Sequence, residues 1–331
     1  MKRILYSLSI LLLISASLFA QGAKESDTDS EKTYVIGISQ LLPHPALDSI
    51  AKGIEDYLNT TDLNYRIHLE NANGDISTAA SIAHLFKDEG VDIVTGIATP
   101  TAQALATALP DTPQVFATVT DPEAAGLTGE GNENICGVSD MVPVKAHLEI
   151  IEKLTNAKSI GMIYTSSEAN GISLMENFKA ACEEKGIKLV TVAVSNSAEV
   201  KVAAESIIDR IDAMYIATDN TVISAISAVS DVCINHKVPL FSADTTSSFD
   251  TDILFAGGFD YYKSGLLVGK LIEEVLKGTK PVDIGTQYLD ANSLEVYVNL
   301  DIAEKLGITI PQEMIDEATY VIKDGKNIKS N

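Results

Sequence analysis

The chain has 331 residues, 46% of them hydrophobic and 21% charged, which is enough for one large or two medium domains with buried cores. That composition excludes a disordered, collagenous or disulfide-scaffold protein. Acidic residues outnumber basic ones 46 to 24, and the net charge of −22, with no basic patch, excludes phosphate-backbone and anionic-headgroup partners.

Lys2 and Arg3 precede an apolar run, Ile4 to Ile14, and small residues lead to Ala20. This is a secretory signal peptide in form, over residues 1–20, and its apolar run is short for a membrane span. Cleavage near Ala20 is expected, and with no cysteine beside it a lipid anchor is not. Residues 21–32 (QGAKESDTDSEK) form a polar, flexible leader. The expected protein is exported, periplasmic or otherwise extracytoplasmic, and soluble, with its fold starting near Thr33.

From Thr33, β-branched runs alternate with helical patterns. Tyr34 to Ile38 reads as a buried strand, and Leu47, Ile50, Ala51, Ile54 and Leu58 recur at helical spacing after Pro43-His44-Pro45. Tyr65 to Leu69 is the next strand, with Ser77 as the expected N-cap of a helix through Phe86 that Gly90 ends. Val91 to Ala98, a helix from Thr99-Pro100-Thr101 to Leu109, and a strand Gln114 to Val119 complete a parallel half-sheet.

The rhythm restarts with helices over 145–154, 171–186, 198–209 and 222–235 and strands over 159–164, 188–194, 212–217, 238–242 and 253–257. A long helix, Tyr261 to Gly278, is expected to cross back to the first half, and the tail holds a strand or two and a helix near Leu300 to Leu306. The fold class is therefore α/β, with two doubly wound parallel-sheet lobes. Lobe 1 takes residues 33–144 with about 259–281, and lobe 2 takes 145–258 with about 282–331.

In such sheets, ligands meet the carboxyl ends of strands and the N-termini of helices. Thr99-Pro100-Thr101 reads equally as a carboxylate site or an ordinary N-cap. Thr218-Asp219-Asn220 reads equally as an ammonium partner or a cap, and Glu168-Ala169-Asn170 as a cap or solvated loop. His44, held between two prolines, suits hydrogen bonding or packing better than base catalysis. The other four histidines look structural, and none has metal-ligand spacing. Cys136, Cys182 and Cys233 read as small buried side chains, with a single bridge left open. No G-x-S-x-G, Walker A or G-x-G-x-x-G motif occurs, so no catalytic residue, cofactor or metal is expected, and an enzyme is the minority reading.

Several segments resemble one family in order along the chain: IGISQLLPHPALD (36–48), ATPTAQA (98–104), TDPEAAGL (120–127), GVSDMVP (137–143), IYTSSEAN (163–170), ATDNT (217–221) and GFDYYKSG (258–265). They are similar to the ABC-transporter substrate-binding proteins labelled tryptophan-binding. The resemblance implies a type I periplasmic-binding-protein fold with a three-stranded hinge, a ligand enclosed between the lobes, and delivery to an ABC permease by a monomer. It also implies an aromatic or other apolar amino acid, with a nucleoside, sugar or short peptide, or a cleft enzyme, as the alternatives.

Joined to the chemistry, Thr99 and Thr101 would take the ligand carboxylate and Asp219 its ammonium. Gln40, Ser139, Glu168, Asn170, Asn220 and Asp244 would be further contacts, with the apolar side chain against the Leu41 to Pro45 loop, His44 included, and Tyr261.

Overall fold

The computed structural model describes residues 32–329; the expected signal peptide, its cleavage point and the leader up to residue 31 lie outside them. Strand and helix alternate from the start: β1 (Tyr34–Gln40), α1 (Pro45–Leu58), β2 (Tyr65–Asn71), α2 (Ile76–Glu89), β3 (Ile93–Ile97), α3 (Thr99–Ala108), β4 (Gln114–Ala117) and β5 (Ile135–Ser139). The second run comprises α4 (Val144–Thr155), β6 (Ser159–Thr165), α5 (Ala169–Lys185), β7 (Lys188–Val194), α6 (Val200–Ile207), β8 (Ala213–Ile216), α7 (Asn220–Ile223), α8 (Ile226–Asn235), β9 (Leu240–Ser242) and β10 (Phe255–Gly258). Then follow α9 (Tyr261–Leu276), α10 (Pro281–Ile284), β11 (Thr286–Tyr288), β12 (Glu295–Asn299), α11 (Leu300–Leu306), α12 (Gln312–Glu317), β13 (Tyr320–Lys323) and β14 (Lys326–Asn327).

These strands form two sheets, ordered β11-β5-β4-β3-β1-β2 and β14-β13-β12-β10-β9-β8-β6-β7. Every pairing in the first is parallel; the second is parallel except where β12 meets β10 and β14 meets β13. Parallel sheets need cover on both faces, and each sheet has it. In the first lobe, Ile36, Ile38, Val115 and Val138 pack with Ile50, Ile54, Val268 and Ile272 on one face, while Phe86, Val94 and Leu105 fill the other. The chain passes between the sheets three times among the described residues, at 140–143, 259–260 and 289–294.

Four local readings change. β5 is a strand that the periodicity misses, because Gly137 interrupts its apolar run; a Cβ there would lie 2.2 Å from the Phe116 carbonyl oxygen of β4. Asp75, not Ser77, caps α2, its Oδ1 accepting from the Thr78 N–H at 2.6 Å, and a carboxylate also suits the positive helix end. The expected helix over 222–235 is broken at Ala225 into α7 and α8. The tail changes lobes later than residue 282, since β11 pairs with β5 (Thr286 with Gly137, Tyr288 with Ser139), and it carries more strands than expected.

All three cysteines are buried free thiols, so no bridge forms among them. Burial pushes each thiol up to about 12, which keeps it protonated and unreactive.

Candidate functional site

Groups just past the strand ends converge on one cavity of about 470 Å³, its mouth included. The first lobe supplies Leu42 and His44 after β1, Ala98 and Thr99 after β3, Thr118 and Thr120 after β4, Asp140 after β5, and Tyr261 at the start of α9. Asn170 in the first turn of α5, Thr218, Asn220 and Ile223 after β8, and Asp244 after β9 come from the second lobe. Ala46 and Leu47 of α1 complete an apolar wall with Leu42 and Ile223. Among the described residues, no lysine or arginine lines the cavity.

Of the residues expected at a site, His44, Thr99, Asn170, Asn220, Asp244 and Tyr261 are brought together here. Gln40, Thr101, Ser139, Glu168 and Asp219 do not line the wall, and each has a structural task. Gln40 Nε2 donates to the Leu42 carbonyl at 2.9 Å and to Asp48 at 2.6 Å, holding the loop before α1. The Thr101 hydroxyl turns back to the Ile97 and Ala98 carbonyls at 2.8 and 2.9 Å. Ser139 Oγ donates to the Thr120 carbonyl at 2.8 Å.

Glu168 accepts from Asn220 Nδ2 at 2.6 Å and from the Thr221 hydroxyl and N–H at 2.6 and 3.1 Å, which joins α5 to α7. Asp219 caps α7: it accepts from the Val222 N–H at 3.0 Å and from the Thr165 N–H and hydroxyl at 2.6 and 2.7 Å. Burial first, and the Glu168 charge second, hold the Asp219 carboxyl well above the usual carboxylate range. Packing around it is tight, since a Cβ on Gly171 would lie 2.4 Å from Asp219 Oδ2. Asp219 is thus the cap of α7.

Asp140 is also a carboxylate on the wall; the expected site residues include its neighbour Ser139 and not Asp140 itself. Asp140 Oδ1 accepts from the Thr120 hydroxyl at 2.9 Å, and Oδ2 has only the Tyr261 hydroxyl at 3.4 Å. Acceptor capacity therefore remains on Oδ2. Burial pushes the Asp140 carboxyl up to about 6, against the opposing pull of Thr120.

Asp244, by contrast, is held by the N–H and hydroxyl groups of Thr246 and Ser247. Asn170 Oδ1 and Thr218 Oγ1, of residues that line the cavity, are buried without a hydrogen-bond partner among the described residues. The backbone is strained at the same place: Ala98 has φ 78 and ψ 157, a region natural to glycine, and Thr118 has φ 53. No side chain caps α3, which starts at the cavity with Thr99. Outside the cavity, the Ser173 hydroxyl of α5 donates to Asp121 Oδ2 of the first lobe at 2.5 Å.

Two parallel-sheet lobes joined by three crossings, with polar strand ends from both facing one cavity, define a binding protein of the type I periplasmic fold. The chain belongs to the ABC transporter substrate binding protein family, whose pattern matches residues 35–322. It is 35% identical over 311 residues to a tyrosine-binding protein of Clostridioides difficile (strain R20291), covering 92% of this chain and 88% of that one. A solved ABC domain in complex with L-Trp from Streptococcus pneumonia is 36% identical, with TM-score 0.83 and coverage of 88% of this chain and 100% of that chain. The ligand-free, open structure of a substrate binding protein with adhesive properties from Clostridium difficile is 32% identical, with TM-score 0.65 and coverage of 88% and 99%.

Proposed function

We propose that this protein, outside the cytoplasmic membrane and as a monomer, encloses an aromatic amino acid in the interlobe cavity and presents it to an ABC permease. The observation that carries this reading is Asp140: a buried carboxylate with acceptor capacity left on Oδ2, in a cavity with apolar lining and, among the described residues, no lysine or arginine. The ligand ammonium supplies the missing positive charge at Asp140. Neutral donors, the Thr99 hydroxyl and the uncapped start of α3, receive the ligand carboxylate. The aromatic ring packs against Leu42, Ala46, Leu47 and Ile223. Relatives that bind tyrosine and carry L-Trp support the same ligand class.

A panel of amino acids, sugars, nucleosides and short peptides in a thermal-shift assay tests this directly. Aromatic amino acids raise Tm, because a ligand that binds only the folded state stabilises it. A shift produced by a sugar or nucleoside alone, with no amino acid active, overturns the reading.

The pH dependence has a definite sign. The bound ammonium requires ionised Asp140, whose carboxyl in the free protein lies at about 6. Below that pH a proton must leave on binding, so affinity falls as pH falls. Calorimetry should find Kd nearly constant from pH 7 to 8 and about tenfold weaker at pH 5, with proton release appearing on the acid side. A Kd that is flat from pH 5 to 8 contradicts the Asp140 contact.

Closure follows from contacts with both lobes, since a ligand that touches both favours the closed state by its differential affinity. The likeness to the L-Trp complex, TM-score 0.83 against 0.65 for the open ligand-free relative, supports a closed arrangement here. The Asp121 to Ser173 hydrogen bond joins the lobes in that arrangement without touching the cavity wall. Asp121→Ala should weaken all ligands by a common factor of about three to ten, chiefly through faster release. Stopped-flow release rates identical to the parent would remove this bond from the closing energetics.

A further inference from the structure

The cavity wall contains a histidine whose geometry specifies a chemical group. His44 lies between Leu42 and Ala46, both wall residues, and is fixed by Pro43 and Pro45 and by its role as N-cap of α1. In that role its Nδ1 accepts from the Ala46 N–H at 3.2 Å. A neutral imidazole with Nδ1 as acceptor carries its proton on Nε2. That Nε2 faces Asp244 Oδ2 of the opposite lobe at 4.0 Å, beyond hydrogen-bond reach.

A donor and a carboxylate oxygen stand 4.0 Å apart on the wall of one cavity. An atom that both accepts and donates can bridge them, whereas a hydrocarbon leaves the His44 Nε2–H without an acceptor. Asp244 cannot swing to His44, because Thr246 and Ser247 pin both of its oxygens. Its Oδ2 can still take a new donor, since the Thr246 hydroxyl at 3.1 Å is shared with Oδ1, to which it is nearer at 2.8 Å.

We propose that His44 and Asp244 read a hydroxyl on the ligand's aromatic ring, so that the protein selects tyrosine over phenylalanine. This rests on the aromatic amino-acid reading above and sharpens it. The phenol oxygen accepts from His44 Nε2–H and donates its proton to Asp244 Oδ2. Both partners lie on different lobes, so the same hydroxyl also ties the lobes together. Phenylalanine fills the same space and leaves the partly buried His44 donor without an acceptor on the ligand, which a site built to bond a hydroxyl penalises.

The test is calorimetric Kd for tyrosine and phenylalanine on the full mature chain, then on His44→Asn. Asparagine retains N-cap capacity for α1 but does not reach Asp244 as the imidazole does. The expected result is tyrosine at least about tenfold tighter than phenylalanine on the parent protein, falling to within about threefold in His44→Asn. A parent ratio below tenfold overturns the proposal, and that measurement needs no variant to fold. A ratio that persists in a folded His44→Asn protein also overturns it, since the hydroxyl is then read elsewhere. If neither amino acid binds the parent, the aromatic amino-acid reading itself fails, whereas equal binding of both leaves that reading standing and removes only this pair's role.

Discussion

Asp140→Asn is expected to weaken amino-acid binding by at least 100-fold in calorimetry while leaving the ligand-free protein as stable as the parent or more so. The two effects have one cause. In the free protein the Asp140 carboxyl is buried, with one good hydroxyl donor from Thr120 and a long one from Tyr261, and no cation beside it. An amide of the same shape keeps both hydroxyls in reach and removes the burial cost of a charge. With the ammonium in place the balance reverses, because removing one member of a buried charge pair costs about 2 to 5 kcal/mol. A loss below threefold would show that the ammonium is held elsewhere, and Asp244 would become the candidate. The companion substitution Asp219→Asn is expected to act on folding more than on affinity, since Asp219 binds Thr165 and the start of α7, away from the cavity wall.

Gly265→Val is expected to destabilise the first lobe by about 3 kcal/mol, read as a fall in the urea midpoint. Helices α1 and α9 cross at glycines: a Cβ on Gly265 would lie 2.3 Å from the Ile50 carbonyl oxygen, and one on Gly53 would lie 2.4 Å from the Tyr262 carbonyl oxygen. Both obstacles are backbone, so no side-chain rotation relieves them. Separating the helices would open the core where Ile50 and Ile54 pack with Val268 and Ile272. It would also move Tyr261, the first residue of α9, away from Asp140. Binding should therefore weaken along with stability. A loss under 1 kcal/mol would mean that the two helices part without disturbing the core.

The legible part of the fold was the alternation of β-branched runs with amphipathic helices, because a period of 2 or 3.6 is a local property of the chain. It located β1 to β4 and the helices between them to within a few residues. It failed at β5, where a glycine demanded by the close passage of β4 breaks the apolar run. It failed again at the tail, where β11 is three residues long and joins the first sheet by pairing with a strand about 150 positions earlier. No local pattern encodes such a partner.

For the site, the chain by itself determined the inventory. Parallel strands end on one edge, so the polar groups just past them gather there whatever the details, and six of the expected residues do line the cavity. The motifs spread from residue 36 to 265 likewise established the family. Only the tertiary structure decided which carboxylates face the cavity. Asp219 and Asp140 are alike as residues after a strand. One is consumed by capping a short helix and anchoring Thr165, while the other keeps an oxygen on the cavity wall. The difference is a count of donors within 3 Å of each oxygen, and apart from the Val222 N–H those donors come from 20 and 54 positions away. Hydrogen-bond competition of that kind depends on where the lobes place their loops, and it exists only once the chain has folded.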